Sequence, residues 1–341
     1  MKQKLSEIAN ITMGQSPLSS CYNSDGIGIP FLQGCTTFGR IYPTYDTWTT
    51  KFNKCADKDD ILFTVRAPVG DVNLCQRFTA IGRGLASIHA TKVNPKYLFY
   101  LLEGNKSAFT SSSSGTIYQS INKDKLCNVV LNVHDSSTQQ HIVDTIGSMD
   151  DLIENYAERI NLLGNISMDL YLQSIEHSRK TSVLGNYIKI ETGSMNLEEN
   201  DPNGKYPFYT RNIGTFYSDK YTNEGEGVIV AGEGNFTPKF VNGKFGLHQR
   251  AYFISSNTMK LSPETIYEIV FSNKKFLESV AVGSTVKSLR KFCFEQMPFY
   301  LDADYSSLNQ NLALLFKEIE KLKALQHLLQ FQKRALLGKY F

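Results

Sequence analysis

The sequence lacks most of the features that betray chemistry directly. Its six cysteines are Cys21, Cys35, Cys55, Cys75, Cys127 and Cys293. They form no CxxC pair, and no histidine stands at zinc-ligand spacing. This argues against a structural zinc site and for buried, reduced thiols in a cytoplasmic setting. No apolar run approaches the roughly 18 residues that a membrane helix needs. The opening stretch, MKQKLSEIANITMG, has no apolar core long enough for a signal peptide. Charge of one sign is also scarce: the formal net charge is +3. That mild excess is compatible with a nucleic-acid partner without requiring one.

Catalytic signatures are missing too. AGEGNF (Ala231–Phe236) is not a phosphate loop: it lacks G-x-G-x-x-G spacing, and no amphipathic helix follows. DPNGKYPF (Asp201–Phe208) begins with a turn signal and not with the Asp/Asn-Pro-Pro-aromatic motif of an amino-methyltransferase. Glu318, Glu320 and Lys321 fall on a helix with heptad spacing and read as a solvated face. His89, His134, His141, His177, His248 and His327 are scattered, with no Ser or Cys partner implied by spacing. The residues point to a binding protein and not to an enzyme.

What the sequence does contain is a repeat. The 341 residues suffice for about two domains. Leu5–Gly14 parallels Leu184–Gly193, and Ile29–Gly34 parallels Tyr206–Arg211. Asp60–Gly70 parallels Gly227–Thr237. SSGTIYQSINKDKLCNVVL (Ser113–Leu131) parallels AVGSTVKSLRKFCFEQMPF (Ala281–Phe299), and Ser136–Ile146 parallels Ser306–Phe316. The order is kept while the offset drifts from 179 to 167 and back to 170. Drift of this kind places insertions in loops.

Each half divides in the same way. Its first part carries short apolar runs such as ILFTV and VIVA, separated by Gly, Pro, Asn and Asp. These read as short strands joined by long loops. NPKYLFYLLEGNKSAF and SPETIYEIVFSNKKFLESV each place Pro at a first helical position. The second part of each half is a long helix. Ile142, Ile146, Met149, Ile153, Tyr156, Ile160, Leu163 and Leu170 recur at alternating steps of four and three, with Ser167 in the last heptad. Leu308, Leu312, Leu315, Ile319, Leu322 and Leu329 do the same, with Leu325 and Gln326 flanking the seam. This is coiled-coil spacing, and it predicts that the two helices pack antiparallel on each other. Capping boxes are expected at Ser137-x-x-Gln140 and Ser307-x-x-Gln310.

This layout, with TVRAPVGDVN (Thr64–Asn73), IGRGLASI (Ile81–Ile88), SGTIYQSINKDKL (Ser114–Leu126) and VGSTVKSLRKF (Val282–Phe292), resembles the specificity (S) subunit of type I restriction–modification systems. The resemblance covers essentially the whole chain. It implies an α+β protein: two pseudo-symmetric α/β target-recognition domains joined by two long helices packed as an antiparallel coiled coil. The implied division is 1–134 and 180–304 for the recognition domains, with helical regions at 135–179 and 305–341. It further implies a non-catalytic, cytoplasmic subunit that reads a bipartite double-stranded DNA target, with no cofactor or metal of its own. The implied partners are two methyltransferase (M) subunits and restriction (R) subunits, with S-adenosylmethionine and ATP on those partners and no membrane. The chain departs from the family where a Pro-Pro pair often precedes each helix: only Pro298 stands near the second, and NVHDSS precedes the first. A related combined restriction–methylation system has the same implied layout.

Phosphate contacts set register, and base-edge contacts specify sequence. If the halves read different half-sites, base readers lie where the halves diverge. The divergent loops are Gln33–Arg40 against Thr210–Tyr217, and VRAPVGD against GEGNFTPK. Arg suits guanine and Asn suits adenine. The expected DNA-binding residues are Arg40, Arg66 and Arg83 in the first half. In the second they are Arg211, Asn212, Asn235, Lys239 and Arg250. The duplicated phrase is expected to join recognition domain to helix, with Thr116, Ser120, Lys287 and Ser288 as phosphate contacts otherwise. A competing reading is a two-domain carbohydrate- or protein-binding module with a coiled-coil stalk. An enzyme with an unrecognised site is a third.

Overall fold

A computed structural model describes residues 1–110, 120–202, 204–212 and 214–341. It divides into two units: Met1–Glu154 with Gln326–Phe341, and Asn155–Leu325. Both long helices contribute residues to both units. The helices run over Ser136–Ile175 and Tyr305–Tyr340.

In the first unit, four antiparallel strands lie in the order Ala9–Met13, Leu85–Ala90, Ile61–Thr64, Val72–Leu74. Ile61–Thr64 is buried at every residue, as a central strand covered on both faces must be. A second sheet contains Ile29–Leu32 and Thr79–Ile81, which pair in parallel. Lys2–Lys4 pairs with Val130–Asn132. The helix Pro95–Gly104 starts on Asn94, whose side chain accepts from Lys96 N and Tyr97 N, with Pro95 at the first helical position. It buries Tyr97, Leu98, Leu101 and Leu102 against Ile61, Phe63, Ile142 and Ile146 in the main core.

The second unit repeats this plan. Ile188–Thr192, Ala251–Ser256, Asn223–Ala231, Lys239–Leu247, Tyr206–Tyr209 and Phe216–Ser218 form one six-stranded sheet. Its one parallel pair, Tyr206–Tyr209 with Lys239–Leu247, matches the parallel pair of the first unit. Here Lys239–Leu247 runs unbroken where the first unit has two strands, Val72–Leu74 and Thr79–Ile81. Thr181–Val183 pairs with Pro298–Tyr300, as Lys2–Lys4 pairs with Val130–Asn132.

The aligned glycines have a shared physical cause. Gly14 N donates to Leu85 O, and Gly193 N donates to Ala251 O. A Cβ on Gly14 would lie 2.2 Å from Gly82 O, and one on Gly193 would lie 2.2 Å from Leu247 O. Only glycine permits this backbone approach.

Within each unit the two helical segments run in opposite directions. In the first, Gln326 Nε2 donates to Ile153 O at 3.0 Å, and Leu337 shares a core with Ile142 and Ile146. In the second, Arg159 pairs with Glu318 at 3.5 Å, and Tyr171 shares a core with Leu308 and Leu312. All the heptad positions named above are buried or half-buried.

The caps differ from expectation. Asp135 accepts from Thr138 N and Thr138 Oγ1, and Asp304 accepts from Ser306 N. Ser137 and Ser307 lie inside the helices. A carboxylate placed just before the first turn takes the free N–H groups and favours the positive end of the helix dipole.

Candidate nucleic-acid interface

The duplicated phrase straps the loop that follows the central strand. Ile121 N donates to Val65 O at 2.9 Å, and Leu289 N donates to Gly232 O at 2.7 Å. Ser120 forms a bridge with Arg66, and Ser288 forms the matching bridge with Glu233. Ile121 and Leu289 are buried beneath these contacts. Pairing backbone to backbone holds the loop without regard to its side chains. The loops can therefore diverge while their frame stays the same.

They do diverge. Arg66 and Glu233 occupy equivalent places and carry opposite charge. Gly34 and Gly84 stand, by the repeat register, where the second half has Arg211 and Arg250. In the second unit Glu233 gathers both arginines. Arg250 Nη1 donates to Glu233 Oε1 at 2.7 Å and to Oε2 at 2.8 Å, and Arg211 Nη1 lies 3.3 Å from Oε2. Hydrogen bonds from Arg250 and Arg211 hold the Glu233 carboxyl below its usual range. Neighbouring His248 is pushed down by burial and then by these guanidinium groups.

The structure brings four of the five expected second-half residues together. Arg211, Asn212, Asn235 and Lys239 line one concavity with Thr210 and Thr237. Arg250 joins them through Glu233. Lys239 Nζ donates to Asn212 O at 2.9 Å and to Gly214 O at 3.2 Å, and burial lowers its pKa. Asn235 Oδ1 accepts from Thr237 N and Oγ1, and the residue is exposed.

The first-half residues are arranged differently. Arg66 and Arg83 are exposed, and their side chains make no ion pair among the described residues. Arg40 turns toward the first long helix: Nη1 pairs with Asp150 Oδ1 at 2.6 Å, and Nη2 donates to Asp150 O at 2.5 Å. Of the four residues considered for phosphates, Ser120 and Ser288 sit in the straps. Lys287 Nζ donates to Glu278 O at 2.7 Å, and Thr116 lies outside the described residues.

Sequence reasoning missed two groups. Glu233 was hidden as one acid in a loop; its opposition to Arg66 across the repeat was the available signal. The second group surrounds Asp150, which is 1% exposed. Arg40, Lys333 and Tyr100 all reach its carboxylate, and Lys333 also pairs with Glu103 at 3.0 Å. Burial raises Tyr100 and Glu103, and Asp150 raises Tyr100 further. Lys333 continues the four–three spacing past Gln326 and Leu329, so its place in the seam was legible.

No catalytic arrangement stands out among the described residues. Asp60 accepts from Ser87 Oγ at 2.5 Å and faces His89 Nδ1 at 2.7 Å. The carboxylate lies in the middle, so the imidazole cannot take the serine proton as a base. No group of three or more His, Cys, Asp or Glu among these residues could hold a metal ion. No helix of these residues is long and apolar enough to cross a membrane.

The chain is thus a duplicated α+β unit with strapped, divergent loops and long heptad helices. The profile of the type I restriction modification DNA specificity domain matches residues 1–164 and 180–301, and the chain belongs to that family. It is 42% identical over 146 residues to a specificity subunit assigned to the type I restriction enzyme MjaX of Methanocaldococcus jannaschii; the match covers 42% of this chain and 34% of that protein. It is 30% identical over 158 residues to the type I restriction enzyme EcoDI specificity subunit of Escherichia coli, over 46% of this chain and 35% of that one. The matched stretch thus spans about a third of the length of each curated relative. The crystal structure of a type I restriction–modification system S subunit from M. genitalium shares the fold, with a TM-score of 0.65 at 16% identity, over 100% of this chain and 96% of that chain.

Proposed function

We propose that this protein is a non-catalytic specificity subunit that reads a bipartite double-stranded DNA site, one half-site per unit. One observation carries this reading. The same backbone strap recurs in both units, while the side chains it presents are Arg66 in one and the Glu233–Arg211–Arg250 cluster in the other. Reading two different sequences with one scaffold requires this combination of constant frame and variable surface.

In the second unit, Arg211 would pair with guanine, and the amide of Asn235 would serve adenine. Lys239 is tied to loop carbonyls and would act through a phosphate or by holding the loop. In the first unit, Arg66 and Arg83 are the exposed cations available to DNA. Arg40, committed to Asp150, would position the loop that it ends.

The partners follow from the family. Two M subunits would bind S-adenosylmethionine, and R subunits would use ATP; this chain would hold neither. The first long helix has 40 residues and would extend roughly 60 Å at 1.5 Å per residue. That is sufficient to span half-sites one DNA turn apart, about 34 Å. The helices would then fix the spacer.

The test is co-expression with a type I methyltransferase subunit, followed by mapping of N6-methyladenine on genomic DNA. A motif of two short half-sites around an unspecified spacer supports the reading. Continuous motifs, or unmethylated DNA with an active methyltransferase present, would falsify it.

A further inference from the structure

In the second unit a cavity of about 520 Å3 lies between the helix Pro263–Ser272, the sheet and the two long-helix segments. Its walls include the rings of Tyr209, Tyr267, Phe271 and Phe316, with Tyr267 and Phe316 centroids 5.2 Å apart. Glu268 lies among them and is 1% exposed. Its Oε1 accepts from Ser167 Oγ at 2.6 Å. Its Oε2 accepts from no described residue, and no cation of these residues pairs with it. The other charges at the cavity are engaged. Lys323 pairs with Glu320 at 2.8 Å, and Lys239 is held by two loop carbonyls.

A buried carboxylate without a cation is costly. The first unit meets the same problem at the matching junction of helices and resolves it internally. There the Lys333 ammonium pairs with Asp150 and Glu103 and lies 5.4 Å from the ring centroid of Tyr100. By the repeat register, Tyr100 is the counterpart of Glu268, and the counterpart of Lys333 is the apolar Leu163. The second unit thus has a buried carboxylate beside aromatic walls and open volume, and an apolar residue at the repeat position of the first unit's ammonium. Aromatic faces attract organic cations, and the volume is that of a small-ligand site.

We propose that this cavity binds a small, free organic cation bearing a primary ammonium or guanidinium group, which pairs with Glu268 between the rings. This inference is independent of DNA reading. Isothermal titration of the full chain with butylammonium and butylguanidinium, and with n-butanol as the neutral control, tests it. Saturable 1:1 binding of at least one cation is expected. Glu268→Gln, which keeps size and can still meet Ser167, should weaken binding at least about tenfold. Gly164→Leu should weaken it likewise, since Gly164 lines the cavity and a Cβ there meets no atom within 4 Å. Lys291→Ala, at an exposed residue that pairs with Glu295 and does not line the cavity, should bind as the native chain does. Absence of saturable cation binding overturns the proposal. So does equal binding by Glu268→Gln and Gly164→Leu, or equal binding of n-butanol.

Discussion

The two units bury charge at the same junction in opposite ways. In the first, Asp150 and Glu103 meet Arg40 and Lys333, so two acids are balanced by two bases. In the second, Glu268 has only the Ser167 hydroxyl, and burial pushes its pKa up to about 7. One scaffold therefore tolerates either a closed ion network or a single acid that can shed its charge. What is constant is the apolar seam and the strap; what varies is how each unit satisfies the polar groups placed on that frame.

The largest expected effect comes from breaking the closed network. Asp150→Ala would leave Arg40 and Lys333 without their shared partner. A loss of about 3–5 kcal/mol is expected, as for other buried pairs deprived of one member. Hydrogen exchange should show it in Met1–Glu154 and spare the sheet of the second unit. Equal loosening of both units would erase the contrast.

The next effect has the opposite sign. The folded pKa of Glu268 lies above its unfolded value, so folding favours the protonated form. Its stabilising contribution is fully present below the unfolded value near 4.5 and is lost as pH rises through about 7. Above that pH the ionised group costs about 3–4 kcal/mol. Glu268→Gln should therefore stabilise the second unit at pH 8 and have little effect at pH 4. Urea melts at the two pH values measure this, and a pH-independent difference would contradict it.

Smaller and equal effects are expected at the shared frame. Gly14→Ala and Gly193→Ala each force a Cβ against a carbonyl oxygen. Each should cost about 1–3 kcal/mol in its own unit, the usual range for overpacking. Thermal melts of the two variants should be closely similar. A large disparity would show that the repeat is less symmetric than its hydrogen bonds.

Much of this was legible in the sequence. The drifting offset paired Ala9–Met13 with Ile188–Thr192, Ile29–Leu32 with Tyr206–Tyr209 and Ile61–Thr64 with Asn223–Ala231, because insertions fell in loops; the match of Leu85–Ala90 with Ala251–Ser256 came only from the strand register. The heptad spacing located the helices for the same reason: burial of a repeated apolar stripe leaves few alternatives. The cap positions were misread because Asp135 and Asp304 compete with nearby serines, and a carboxylate is the stronger acceptor. Lys333 and Asp150 were passed over because charge on a helix usually marks a solvated face. Only tertiary packing showed that these two neutralise each other. The concavity of Arg211, Asn212, Asn235 and Lys239 was foreseen as residues but not as a surface, since contact between separate loops carries no local signal.

The strap also sharpens what loop substitutions should do to the proposed DNA reading. Ser120→Ala and Ser288→Ala keep their backbone bridges, so the selected sequence should be unchanged in both. Arg66→Ala and Arg211→Ala should each weaken cognate binding through a different half-site, by about 1–3 kcal/mol for a lost base pairing. Gel shifts at fixed salt suffice, because salt dominates affinity.

The most direct measurement is selection of duplexes from a randomised pool by the native chain and by Arg211→Ala, each assembled with the methyltransferase subunit. Two half-sites with a fixed spacer are predicted for the native chain. The variant should keep one half-site and the spacer while relaxing the other. Loss of both half-sites together, or an unchanged motif in the variant, would contradict the reading of one half-site per unit.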